Sequence, residues 1–274
     1  MNGTKLEILY EDNHLIFVTK PSGILSQSDG SGAEDMLSLI SDYLAERDRK
    51  PGKAFVGLIH RLDRNVGGAM VFAKNSKGAS RASEDLRSGF FYKGYIAVSS
   101  GALDRAAGES GFLVNRLKKD TVNNRVFESR DGKDCRLYFK HLAVCRGAEG
   151  HEKHYYLAVP VTGRAHQIRA QFALAGAPLI GDNKYGQFSR DRGSDPLTAA
   201  GAASDRNIGL WSIAISVRRA VDRSERIWAF SLPCGAAFEN ANGALPEELY
   251  AFSGSDELME ILESIKGEND SGEV

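Results

Sequence analysis

Short apolar runs joined by tight turns, with helical stretches inserted between them, constrain this chain most. Residues 6–10 and 15–19 read as a strand pair around Glu11-Asp12-Asn13-His14, stopped by Lys20-Pro21-Ser22-Gly23. Residues 33–47 carry Met36, Leu37, Leu39, Ile40, Tyr43 and Leu44 at helical spacing. A run at 55–59 and another at 69–74 flank a polar loop, and 76–90 is a polar helix expected to face solvent. Further strands are expected at 93–99, 135–144, 153–161, 208–217 and 226–232, and a helix over 164–175. The pair 135–144 and 153–161 is expected to run antiparallel around 146–150. Hairpins with inserted helices predict an α+β fold on a mainly antiparallel, mixed sheet. No internal repeat or low-complexity linker interrupts it, so the expected organisation is one body over 1–252 and an acidic tail over 253–274.

The polar loop holds the most informative residue, Asp63, in Ile59-His60-Arg61-Leu62-Asp63-Arg64-Asn65. It stands between two arginines at the seam of two apolar runs, just before Gly67-Gly68. Two guanidinium groups favour the ionised acid and can also hold phosphates. A structural ion pair or turn is the plain alternative for such a carboxylate. A second cluster is Thr162-Gly163-Arg164-Ala165-His166-Gln167-Ile168-Arg169, where strand, glycine and helix start follow in order. A helix start offers N–H groups to an anion, with Arg164, His166 and Gln167 in the first turn and Arg169 beyond it. The competing reading makes Ile168, Phe172 and Leu174 a core stripe and leaves the polar residues solvated. Tyr95, on the less apolar face of its strand, is the third candidate: a base-stacking aromatic or a half-buried strand residue.

Other classes are set aside on composition. Of 274 residues, 42% are hydrophobic and 26% charged, as in ordinary globular proteins. No apolar stretch approaches the ~20 residues needed to span a bilayer, and the polar start lacks the pattern of a secretory signal. A cytoplasmic protein is expected. Cys135, Cys145 and Cys234 have no Cys-x-x-Cys spacing, and His151 and His154 read as surface residues at a turn, so no metal is expected. The net charge is −1, but the stretch from Ser253 is strongly acidic, and without it bases exceed acids by five. The tail reads as a solvated helix with a disordered end.

Four motifs occur in order: His60-Arg61-Leu62-Asp63-Arg64, Lys93-Gly94-Tyr95-Ile96-Ala97-Val98, Gly163-Arg164-Ala165-His166-Gln167-Ile168-Arg169 and Gly181-Asp182-Asn183-Lys184-Tyr185-Gly186. With residues 8–16 and Lys20-Pro21-Ser22-Gly23 before them, they resemble an RNA pseudouridine synthase of the RluA type over about residues 6–235. The resemblance implies the pseudouridine synthase fold and an isomerase acting on uridine in transfer or ribosomal RNA, without cofactor or metal. It implies Asp63 as the catalytic carboxylate, Tyr95 against the flipped base and assisting loss of the C5 proton, and Arg169 paired with Asp63. Arg61 would help hold the nucleotide out of the stack, with His60, Arg64, Arg164, His166 and Gln167 also facing RNA. His60 and His166 are expected to act as structural hydrogen-bonders rather than proton shuttles. Asp182 is expected to close a turn, and Lys20 and Lys184 are candidates for phosphate contact. Attack of Asp63 on the sugar, addition to the ring and proton removal all stay open.

The chain departs from the family pattern at Asn65-Val66-Gly67, where Asp-Thr-Ser is usual, and at Ala165, where Thr is usual. With no S4-type segment before the first motif, target recognition is expected to rest on the catalytic body. Basic groups Arg116, Lys118, Lys119, Arg125 and Arg130, and Arg218, Arg219, Arg223 and Arg226, are candidate phosphate contacts. The reading is of a monomer. Its alternatives are an RNA-binding relative that has lost turnover and a carboxylate glycoside hydrolase, which needs a second acid that nothing singles out.

Overall fold

The computed structural model describes residues 5–49, 51–103, 108–148, 150–186 and 207–267. The chain divides into two compact units, Met1–Lys93 with Ser212–Leu232, and Gly94–Trp211 with Pro233–Val274. In both, antiparallel strands carry helices, so the expected α+β architecture is found.

In the first unit β1 (Glu7–Glu11) and β2 (Leu15–Lys20) form the expected hairpin. Asp12 closes its turn, its Oδ1 accepting from the His14 and Leu15 amides at 2.7 Å each. β2 pairs with β4 (Gly67–Ala73) from Leu15↔Ala73 to Lys20↔Gly68. The expected strand at 55–59 contracts to β3 (Gly57–Leu58), because only those two residues find partners on β4. β10 (Leu210–Arg218) lies beside β4, and β11 (Arg226–Phe230) pairs with β10. Phe17, Val71, Ile215, Val217 and Ile227 pack with Ile59, Ala82 and Phe91 into one core. Each fully buried aliphatic or aromatic side chain there contributes roughly 1.5–3 kcal/mol.

Helix α1 (Met36–Arg47) starts three residues later than its periodicity predicts, because Asp35 caps it by accepting from the Ser38 amide. Helix α2 (Ser76–Arg87) is not simply a solvent-facing helix. A Cβ on Gly78 would lie 2.4 Å from the His14 carbonyl oxygen, and Asp85 is buried.

In the second unit β5 (Tyr92–Ser99), β9 (Glu152–Pro160), β8 (Lys133–Arg146), β6 (Ser110–Asp120) and β7 (Arg125–Glu128) lie side by side in that order, each antiparallel to the next. β8 and β9 form the hairpin expected around 146–150. β6 and β7 were not expected as strands, since their polar, basic sequence carries little apolar alternation. His154 stands on β9, partly buried beside the His141 ring at 5.8 Å, so only His151 is a surface residue.

Helix α3 (Gln167–Leu174) lies between β9 and α4 (Glu247–Phe252) in the chain, and α5 (Asp256–Gly267) follows α4. The acidic helix is not merely solvated. Leu258, Leu262 and Ile265 are buried, and Leu262 reaches 3.3 Å from where a Cβ on Gly94 would stand. The acids occupy its outer face, and the expected disordered end, 268–274, lies outside the described residues.

Candidate active site

The Asp63 loop is held by the segment that follows β2. Ser26 Oγ donates to the Leu62 carbonyl at 2.8 Å and accepts from the Leu62 amide at 3.1 Å. Ser22 Oγ donates to the Asn65 carbonyl at 2.9 Å, and the Gly23 amide to the Arg64 carbonyl at 2.8 Å. Arg64 returns a bond from Nε to the Gly23 carbonyl at 3.0 Å, and the Val66 amide closes the loop onto the Asp63 carbonyl. The backbone on both sides of Asp63 is therefore pinned, which fixes where its side chain starts. Asp63 is half-buried, between exposed Arg61 and Arg64. It is neither sealed in the core nor left in bulk solvent.

Lys20 is the residue that sequence reasoning underrated. It is fully buried, so it is not a phosphate contact. Its Nζ donates to the Pro21 and Arg64 carbonyls at 2.9 and 3.0 Å. Burial brings its pKa down to about 7, with the Asp63 charge opposing that fall and the Arg64 charge adding to it. The signal in the sequence was position: a lysine ending an apolar strand directly before Pro-Ser-Gly has no room to leave the fold.

His60 is also part of the framework. Its Nε2 accepts from the Val71 amide at 3.2 Å and its ring meets Phe91 edge-on at 5.0 Å. Burial, helped by the Lys93 charge, brings its pKa down to about 3, so it stays neutral. This is the structural hydrogen-bonder that the sequence predicts, and its burial takes it away from RNA. Gly68 has φ +112°, and a Cβ there would lie 2.3 Å from the Ser212 carbonyl oxygen. Only glycine lets β4 approach β10 so closely directly after the loop.

In the second unit Tyr95 is buried on β5, opposite Ala158 of β9. Helix α3 begins at Gln167 rather than Arg164. Gln167 Oε1 accepts from Thr162 Oγ1 at 2.9 Å and from the Arg164 amide at 3.1 Å, while its Nε2 donates to the Arg136 carbonyl at 3.1 Å. These bonds tie 162–166 into a loop, and His166 enters the helix with φ 51°. The chain's own Gln167 thus uses one of the N–H groups expected to face an anion. Gln167 is buried, whereas Arg164 is exposed.

Arg169 is buried and meets Asp182 in a two-pronged pair, Nε to Oδ2 at 2.7 Å and Nη2 to Oδ1 at 2.8 Å. Asp182 Oδ1 also accepts from the Lys184 and Tyr185 amides, so it closes the expected turn and aims the guanidinium at once. Tyr185 hydroxyl bonds His166 Nδ1 at 2.8 Å and accepts from the Val126 amide at 2.9 Å. The Gly181–Gly186 motif is therefore the brace of α3, a role invisible in spacing alone. Lys184 Nζ is engaged by the Asn124 carbonyl at 2.8 Å.

The basic clusters fare differently. On β6 and β7, Lys118 and Lys119 are exposed, Arg116 pairs with Asp134 at 3.3 Å, and Arg125 donates to the Lys184 carbonyl. Arg218 and Arg223 both bind buried Asp85 at 2.6 Å, and Arg219 pairs with Glu225 at 3.2 Å. Those three are not a solvated phosphate patch. Among the described residues no three His, Cys, Asp or Glu side chains gather to hold a metal, and no helix is long and apolar enough to cross a membrane.

The family model described as RNA pseudouridylate synthase matches residues 14–174. The chain is 34% identical over 206 residues to the ribosomal large subunit pseudouridine synthase C of Escherichia coli (strain K12), covering 73% of this chain and 58% of that protein. It is 30% identical over 187 residues to an uncharacterized RNA pseudouridine synthase of Bacillus subtilis (strain 168), covering 68% and 59%. The chain thus spans under two thirds of the length of these curated relatives. Among solved structures, human RNA pseudouridylate synthase domain containing 4 is similar with TM-score 0.62 at 19% identity, over 89% of this chain and 90% of that one. The human domain containing 1 protein gives 0.61 at 20%, over 84% of each. At these identities the likeness is one of fold.

Proposed function

The chain belongs to the RNA pseudouridylate synthase family, and from that premise we propose that it converts uridines of structured RNA, transfer or ribosomal, to pseudouridine. The N1–C1′ bond of the target breaks, the uracil turns, and C5 joins C1′. The C5 proton leaves and N1 gains one, so the product is an isomer of the substrate. Asp63 is the carboxylate that meets the developing positive character at C1′ or the ring of the detached base. In this reading Arg169, aimed by Asp182, is the cation that serves Asp63. Tyr95 packs against the flipped uracil and assists loss of the C5 proton. Arg61 and Arg64, exposed on either side of Asp63, hold the flanking phosphates, with Arg164 contributing from its loop. His166 and Gln167 shape that loop, and Lys20 and His60 shape the loop of Asp63. The reaction needs no cofactor, and the reading is of a cytoplasmic monomer.

The observation that carries this reading is the Asp63 loop itself, a half-buried carboxylate on a backbone pinned on both sides and flanked by two exposed arginines. Pseudouridine mapping of cellular RNA with and without the protein identifies the target. Asp63→Asn should then abolish product formation on that RNA while leaving its binding within about threefold. Full activity in Asp63→Asn would refute the assignment.

A further inference from the structure

The outward side of β11 carries Arg226, Trp228 and Phe230, while Ile227 and Ala229 enter the core. Trp228 and Phe230 have nearly parallel rings, 4° apart with centroids at 6.1 Å. Tyr92 continues the row, 6.0 Å from Trp228, and the Arg226 guanidinium lies over the Tyr92 ring at 3.6 Å. Across the ladder, Trp228 faces Ser216 and Phe230 faces Ala214. Both partners are small, so no bulky cross-strand side chain covers the two rings. Half-buried aromatics above a floor of serine and alanine make a shelf.

The strand that carries the shelf is tied through β2 to the Asp63 loop. The residue after Phe230, Ser231, bonds Thr19 through their hydroxyls at 3.0 Å. The residue after Thr19, Lys20, holds the Arg64 carbonyl at 3.0 Å. Hence the end of β11, β2 and the Asp63 loop are tied together within one unit.

We propose that Phe230, Trp228 and Tyr92, with Arg226, form a stacking platform for unpaired nucleotides next to the target uridine. This rests on the function proposed above and names the form of RNA it takes, a loop or single-stranded segment. The physical reason lies in the extraction of the base. Pulling a uridine out of its stack removes stacking from its neighbours, at a cost of a few kcal/mol. Aromatic rings at the site restore stacking without regard to base identity. The planar Arg226 guanidinium stacked on Tyr92 favours the same aromatic surface and the phosphates beside it.

Three measurements test this. With the target RNA, Trp228→Ala should raise KM about 10- to 100-fold, with kcat at saturation within about twofold, and Trp228→Phe should restore most of the loss. Phe230→Leu should raise KM in the same sense. In the Asp63→Asn chain a short oligouridylate should quench tryptophan fluorescence, and this quench should vanish when Trp228→Phe is added, because Trp211 is buried. An unchanged KM in Trp228→Ala that still forms pseudouridine overturns the platform alone. A change in oligomeric mass with KM unchanged would assign the shelf to a protein partner and overturn it too. Quenching by oligouridylate with no pseudouridine formed on any RNA would support the platform and refute the proposed isomerase.

Discussion

Replacing Lys20 with methionine should alter how stability depends on pH, and the size of the effect follows from where Lys20 sits. Its ammonium is fully buried, with two carbonyls as partners and Asp63 and Arg64 as the charges that act on it. Burial lowers its pKa from 10.5 to about 7 in the folded chain. Between those values the unfolded chain binds a proton that the folded chain does not. Stability from this group therefore rises with pH, by about 1.4 kcal/mol per pH unit. It is fully expressed above the unfolded value and lost as pH falls through about 7. From pH 7 to 9 the gain is on the order of 2–3 kcal/mol. Methionine keeps the length of the chain but cannot titrate. Urea unfolding of both proteins at intervals from pH 6 to 9.5 isolates the difference, because every other group titrates alike in the two. The wild-type minus Lys20→Met difference should climb over that range. A difference that stays flat would refute the burial argument, and with it the role given to Lys20 under the Asp63 loop.

Two other substitutions probe the braces. Asp182→Asn removes the carboxylate of a buried two-pronged pair, and should cost about 3–5 kcal/mol in denaturant unfolding and lower kcat on the target RNA; an undiminished kcat would mean that Asp182 does not aim Arg169. Leu262→Ala should cost about 2–5 kcal/mol if α5 belongs to the core of its unit, whereas a cost under about 0.5 kcal/mol would return it to a solvated tail.

Much of the frame was readable because it rests on local rules. Alternating apolar runs placed β2, β4, β9 and β10 within a residue or two, since a strand with its faces buried must be apolar along its length. Strands β6 and β7 escaped because their exposed faces are basic and the apolar ones sparse, so pairing with β8, not composition, makes them strands. The acidic helix α5 was misjudged for a related reason. Net charge describes its outer face, while Leu258, Leu262 and Ile265 on the inner face decide that it packs. The start of α3 was missed because the Gln167 side chain, not the glycine before it, sets where the helix begins.

Within the candidate site, residue order alone singled out Asp63, its two arginines and the motifs that accompany it as candidates, because those are chemical identities at fixed spacing. Folding decided which polar groups stay accessible around Asp63 and which serve the frame. Lys20 and His60 became buried supports, Asp182 became the carboxylate that orients Arg169, and arginines read as a phosphate patch were drawn onto Asp85. The physical reason is that burial and partnership belong to pairs of residues far apart in the chain. Their energies depend on distance and on exclusion of water, and neither is written in a linear string.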